Sequence, residues 1–192
     1  MNRFNRLLIA IAIFILIQTR GIPQDIKIQL AMGYAGYDSD TRFEHSLRWI
    51  VGVGVDVAPN TGLVLEVDQG KTHLSYDGLL SIETIPVTHT IVSLSIQKRF
   101  LPFSNLDGID LRLGTGMSRY SHPAILIQGG GLMDYQIPAN SEWHPLFKGG
   151  VVIRKKIVKH LFIQLQPEIQ MVMASPVHWH RAISGGLQIA IL

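Results

Sequence analysis

The chain has 192 residues, 17 basic against 14 acidic, and only 16% of it is charged, below the roughly 25% usual for soluble domains. It contains no cysteine, which excludes disulfides, thiolate metal sites, a cysteine nucleophile and an anchor built on an N-terminal cysteine. The length suits one domain with a sizeable core.

Residues 1–21 read MNRFNRLLIAIAIFILIQTRG. Arg3 and Arg6 supply a basic start and Leu7 to Ile17 an apolar run of 11 residues. The run is shorter than the ~20 residues of a spanning helix, so the segment is expected to be a secretory signal. An uncleaved N-terminal anchor is the alternative, since Gly21 is small but no A-x-A pattern surrounds it. Removing residues 1–21 takes away Arg3, Arg6 and Arg20 and no acid, leaving 14 basic residues against 14 acidic. The pI of 9.3 therefore carries no argument for nucleic acid, and no basic patch appears.

From Ile26 onward the sequence alternates between apolar and polar residues, the period of a β-strand. Ile26, Ile28, Leu30 and Met32 alternate with Lys27, Gln29, Ala31 and Gly33; Trp49 to Val57 alternate with Ile50, Gly52, Gly54 and Asp56. Leu63, Leu65 and Val67 oppose Glu66 and Asp68, and Val92, Leu94 and Ile96 oppose Ser93, Ser95 and Gln97. Ile109, Leu111 and Leu113 oppose Asp110 and Arg112; Phe147, Val151 and Ile153 oppose Lys148 and Arg154. Leu161–Met171, LFIQLQPEIQM, is the cleanest case, and Ile183 to Ile191 close the series. About eight strands are expected, with no helix after the leader.

The connections alternate in length. Residues 58–61, 102–108 and 156–159 read as short turns. Residues 35–44, 70–84, 119–143 and 174–180 read as longer loops, the longest containing Gly129–Gly131. Short turns on one side and long loops on the other, with an even number of strands, fit a membrane β-barrel. Leu161–Met173 and Arg48–Val57 also reach the 9–11 residues a tilted membrane strand needs. Tyr34, Trp49, Tyr76, Tyr120, Trp143 and Trp179 fall toward the long-loop side, and Phe100, Phe103 and Phe162 toward the short-turn side, as two aromatic belts would.

The polar parity then becomes the lumen. Asp56, Glu66, Asp68, Asp110, Arg112, Lys148, Arg154, Gln164, Gln166, Glu168 and Gln170 are the expected lumen network, with Gly33, Gly52, Gly54, Gly114 and Gly150 leaving it room. An eight-stranded interior is just wide enough to be filled by side chains. Acids and bases are nearly matched and are expected to pair, because an unpaired buried charge costs several kcal/mol.

Short segments on these strands resemble a known family. LQPEI (Leu165–Ile169), TGLVLEVDQGKT (Thr61–Thr72, with Glu66 at the acidic position), ETIPVTHTIVSLSI (Glu83–Ile96, with Ile85 and Pro86) and LRLGTGMSRY (Leu111–Tyr120) resemble recurring strands of the outer-membrane β-barrel domain family, the PorT-like "porin family" proteins of Bacteroidetes-type bacteria. The resemblance implies an eight-stranded antiparallel up-and-down transmembrane β-barrel at residues 22–192, in the outer membrane of a Gram-negative cell. The chain departs from the usual aromatic last residue: it ends GGLQIAIL, with Leu192 last.

Other chemistry is weakly signalled. His178 and His180 in VHWH, with His122 or His144, make a poor metal set, because a site needs three or four ligands. Ser175 and Ser184 beside those histidines lack a third group to orient a base. Glu66 and Glu168 in a narrow lumen are out of reach of a sugar. Gly52–Gly54 and Gly149–Gly150 precede no helix and are not phosphate loops. No catalytic, metal or cofactor site is expected. The expected role is structural or interactive, through outer-membrane lipid and the long loops, with no nucleic-acid partner. A lipid A deacylase-like barrel enzyme is the alternative; it requires His178 or His180 beside a serine and an acid on the lipid-facing wall. A secreted soluble lipid-binding barrel is the other; it requires Leu165 and Ile169 inside and Glu168 outside.

Overall fold

A computed structural model of the protein describes residues 26–38, 42–77, 82–100, 107–127 and 135–191. The leader 1–21, Phe103, Gly129–Gly131 and Leu192 lie outside these residues. Among the described residues ten strands follow one another: β1 (Ile26–Tyr37), β2 (Ser46–Ala58), β3 (Thr61–Asp77), β4 (Ile82–Phe100), β5 (Gly108–His122), β6 (Ile125–Ile127), β7 (Tyr135–Ile137), β8 (Asn140–Val158), β9 (Leu161–Val172) and β10 (His178–Ile191). Eight of them form a closed barrel in the order β1-β10-β9-β8-β5-β4-β3-β2. Every pairing is antiparallel, and β1 seals against β10 from Ile26↔Ile191 to Tyr37↔His180. β6 and β7 form a separate two-stranded hairpin inside the β5–β8 connection, which the sequence pattern did not announce.

Alternation sets which face is which. In β9 the side chains of Gln164, Gln166, Glu168 and Gln170 are buried while Ile163, Leu165 and Ile169 are exposed. The same inversion holds in β2, where Arg48 is buried and Leu47, Trp49, Val51 and Val53 are exposed. Outward residues from Leu47 to Val57 span ten steps of about 3.3 Å, or roughly 25 Å along a strand tilted about 40°. No outward-facing charge interrupts this band among the described residues. It ends at Lys71, Arg119 and Arg181 toward the long-loop end and at Lys98 and Lys155 toward the short-turn end. Thr115 faces outward within it and donates its hydroxyl to the Leu146 carbonyl at 3.1 Å.

Several boundaries differ from the sequence reading. Residues 70–77 and 82–84 continue β3 and β4, and 119–122 and 140–143 continue β5 and β8, so the expected loops 70–84 and 119–143 are largely ladder. These ends rise above the apolar band, where the outward face turns largely polar and the alternation fades while the backbone keeps pairing. Strands β3, β4 and β8 reach 17, 19 and 19 residues, against 12 for β1 and β9. The turn expected at 156–159 lies at Lys159–His160, because β8 runs on to Val158 past a bulge. The 58–61 turn centres on Pro59–Asn60, with Asn60 at φ 63°, a conformation asparagine tolerates.

Candidate functional site: the filled lumen

The inward side chains form two layers. The layer nearer the short turns is ionic. Glu66, 1% exposed, lies on β3 in register with Gly52 and Ser93. Its neighbours are thus small, and bases from distant strands can reach it. Arg112 from β5 and Lys148 from β8 both form ion pairs with it, and Gln29 from β1 donates to it. Arg112 also donates to Gln97 at 2.7 Å and to Gln166 at 3.1 Å. Lys148 stands 3.8 Å from Glu168, which accepts from Gln166 at 3.0 Å and also from Gln170.

Two further groups flank this centre. Arg48 donates to Asp68 at 2.8 Å and to Gln170 at 3.2 Å, and sits 3.7 Å from Glu168. Toward the short-turn mouth Arg154 pairs with Asp110 at 2.5 Å and donates to Gln188 at 3.2 Å. Arg99 lies 3.7 Å from Asp110, and Lys27 donates to Asp56 at 2.6 Å. Gln164 donates to Gln29 at 3.4 Å. Setting aside the half-exposed Arg99, bases Lys27, Arg48, Arg112, Lys148 and Arg154 match acids Asp56, Glu66, Asp68, Asp110 and Glu168. Such matching is what makes buried charge tolerable. Gly52 is required by this crowding, since a Cβ there would collide with the Gln29 side chain.

The second layer, toward the long loops, is apolar and aromatic. Ile91, Leu146 and Val172 are fully buried and pack with Tyr120 and Ala174. Above them Phe43 stacks on Tyr120 at 4.9 Å, and Tyr120 stacks on His89 at 4.4 Å. Tyr37 and His180 meet edge-on at 4.7 Å. Hydrogen bonds fix the rings: Tyr120 Oη with His180 Nε2 at 2.7 Å, His89 Nε2 with Ser118 Oγ at 2.8 Å, and His89 Nδ1 with Tyr37 Oη at 3.2 Å. Phe43 arrives on the β1–β2 connection, which docks along β3 through the Phe43↔Leu74 bridge. Glu44 N–H donates to the His73 carbonyl at 2.8 Å and Ser75 N–H to the Arg42 carbonyl at 3.0 Å.

Of the eleven residues proposed for the lumen, ten are buried: Glu66, Asp68, Asp110, Arg112, Lys148, Arg154, Gln164, Gln166, Glu168 and Gln170. Asp56 is half-exposed at the mouth. Sequence reasoning missed Arg48 and the aromatic layer. Continuing the Ile50–Gly52–Asp56 parity one step back reaches Arg48. Tyr120, expected in an outer belt, faces the lumen, whereas Tyr34, Trp49, Trp143 and Trp179 are exposed on the outside. Phe162 sits on the inward parity of β9, between Gln188 and Lys156.

The tempting catalytic and metal residues are dispersed. His180 and Ser184 are buried in the lumen, Ser175 is exposed in the β9–β10 turn, and His122 bonds the Pro123 carbonyl. Among the described residues no group of three or more histidines and acids could hold a metal ion. A recess of about 40 Å³ lies at the short-turn mouth beside Lys27, Asp56, Arg99 and Arg154, room for little more than water.

No protein-family model matches the chain, and no curated protein matches it. The fold does have solved counterparts. Neisserial surface protein A matches with a TM-score of 0.60 at 10% identity, over 86% of this chain and 96% of that one. The N-terminal barrel domain of Pseudomonas aeruginosa OprF gives 0.46 at 8% identity, over 85% and 97%. Ail, the attachment invasion locus protein of Yersinia pestis, gives 0.45 at 10% identity, over 86% and 97%. The likeness to surface protein A is one of fold: a closed eight-stranded antiparallel barrel.

Proposed function

We propose that the protein is an integral β-barrel of the bacterial outer membrane, exported by residues 1–21, with an occluded lumen and no catalytic role. One observation carries this reading: an uncharged apolar wall, bounded above and below by outward cations, surrounds a charge-matched ionic interior. In water that wall would be a very large exposed apolar patch; in lipid it is the expected exterior. The long loops and the ladder ends of β3, β4, β5 and β8 then face outward and meet a partner or surface. The PorT-like resemblance belongs to this proposal and rests on the strand motifs alone.

The soluble-carrier alternative fits poorly, since Leu165 and Ile169 are exposed and Glu168 is buried. The enzyme alternative also lacks support, because His180 bonds Tyr120 inside the lumen and not a serine and acid on the outer wall. The test is spin labelling at Leu165, Glu168 and Ile169 after refolding into vesicles. Labels at Leu165 and Ile169 accessible to oxygen but not to a water-soluble relaxer are the expected result. Protein remaining in solution with those sites shielded from both reagents refutes it.

A further inference from the structure

The outer wall is not uniform. Two apolar recesses of about 480 and 430 Å³ flank Leu187 on β10 and share Gly185 and Gly186. They exist because Gly185 faces outward between Leu165 of β9 and Met32 of β1 and presents no side chain. The larger recess is bordered by Ile153, Ile163, Leu165 and Leu187, and by one cation, Lys155. Lys155 is in register with Ile163, and Ile163 with Leu187, so the ammonium closes one row of the recess. The next row up is Ile153, Leu165 and Gly185, with no outward charge above it until Arg181. Below Lys155 the exposed Lys159, in the β8–β9 turn, extends the positive rim. Asp107, an acid at this end, accepts the Lys156 backbone N–H.

A groove with hydrocarbon walls and a cation at its interfacial end has the chemistry of a phospholipid site. We propose that the recess over Gly185 seats an acyl chain of an anionic phospholipid of the short-turn leaflet, with Lys155 at its headgroup phosphate. The lysine stem lies along the apolar wall and its ammonium reaches the headgroup level. An anionic lipid is selected over a zwitterionic one by Lys155 and Lys159, which form no ion pair among the described residues.

This site rests on the membrane reading, and the test separates the two. The full chain is refolded into vesicles of equal phosphatidylcholine and phosphatidylglycerol and checked by flotation. It is then extracted in mild detergent, and retained lipids are counted by native mass spectrometry. The wild type is expected to keep phosphatidylglycerol preferentially on a monomer. Lys155→Gln should lower that retention about fivefold, from the energy of one basic side chain at an anionic surface. Gly185→Leu should abolish the preference by filling the recess. It leaves the fold intact, because a Cβ there meets only the Gln164 carbonyl at 3.8 Å. Lys98→Gln, on the opposite wall, should change nothing.

Equal retention by wild type and Gly185→Leu overturns the groove. An equal loss with Lys98→Gln reduces the effect to undirected surface charge and also overturns it, as does a dimer in which a second copy covers the recess. Wild-type protein that does not float overturns the membrane reading itself.

Discussion

Glu66→Gln tests the ionic layer most directly. The substitution keeps the shape of the side chain and removes its charge, so the lumen is left with one base too many. Glu66 pairs with both Arg112 and Lys148. At an effective dielectric near 20, a unit-charge pair about 4 Å apart interacts by roughly 4 kcal/mol. Lys148 retains Glu168 at 3.8 Å, but Arg112 retains only amide partners, Gln29, Gln97 and Gln166. The loss is therefore that of a broken buried pair, about 3–5 kcal/mol of folding stability. Urea unfolding from vesicles, followed by tryptophan emission and by the gel shift of unheated protein, measures it. Glu66→Gln combined with Arg112→Met removes the orphaned guanidinium, restores the charge match and should recover most of the loss, a coupling that single substitutions at separate sites do not show. A Glu66→Gln protein within about 0.5 kcal/mol of wild type, the range of ordinary surface changes, refutes a charge-matched lumen.

Leu165→Arg, on the outward face of β9 one row above Lys155, should cost about 1–3 kcal/mol in the same unfolding measurement, and Leu165→Ile almost nothing. Tyr120→Phe removes the partner of buried His180 Nε2 and should lower stability by about 1–3 kcal/mol; an unchanged urea midpoint would sink that assignment. The protein in planar bilayers should show no conductance steps, and simultaneous Arg112→Ala, Glu66→Ala and Lys148→Ala should leave it closed, because the layer of Ile91, Leu146, Val172 and Tyr120 still fills the lumen above. Gly52→Ala forces its Cβ into Gln29 and should cost about 1–3 kcal/mol by overpacking.

The barrel was legible because strand period and solvent polarity both leave marks on sequence. Within the apolar band every inward position contrasts with its outward neighbours, so Leu161–Met171 reads as β9 almost to the residue. Above the band that contrast disappears. Thr72, His73 and Ser75 carry no face preference, and the ladder through Asp77 was read as loop. Arg48 was missed, although the strand was read as Arg48–Val57, because its two faces were sorted only from Trp49 onward. The aromatic layer was hidden for another reason. Tyr120 looks the same in sequence whether its ring points to lipid or stacks between Phe43 and His89. Only the barrel brings together residues 43, 89, 120 and 180, which no local spacing connects.

The matched charges have a consequence that stability measurements alone would miss. A strand in a barrel can slide against its neighbours in whole-residue steps, and a slip by one turns every side chain to the other face. For an apolar interior such an error would be mild. Here it would turn Arg48, Arg112, Lys148 or Arg154 into hydrocarbon, at about 2–4 kcal/mol for each base near mid-membrane. The same slip would strand the acids those bases leave behind. In the membrane-embedded barrel proposed above, the ionic lumen therefore raises the cost of misaligned barrels, even where it adds little to the aligned one.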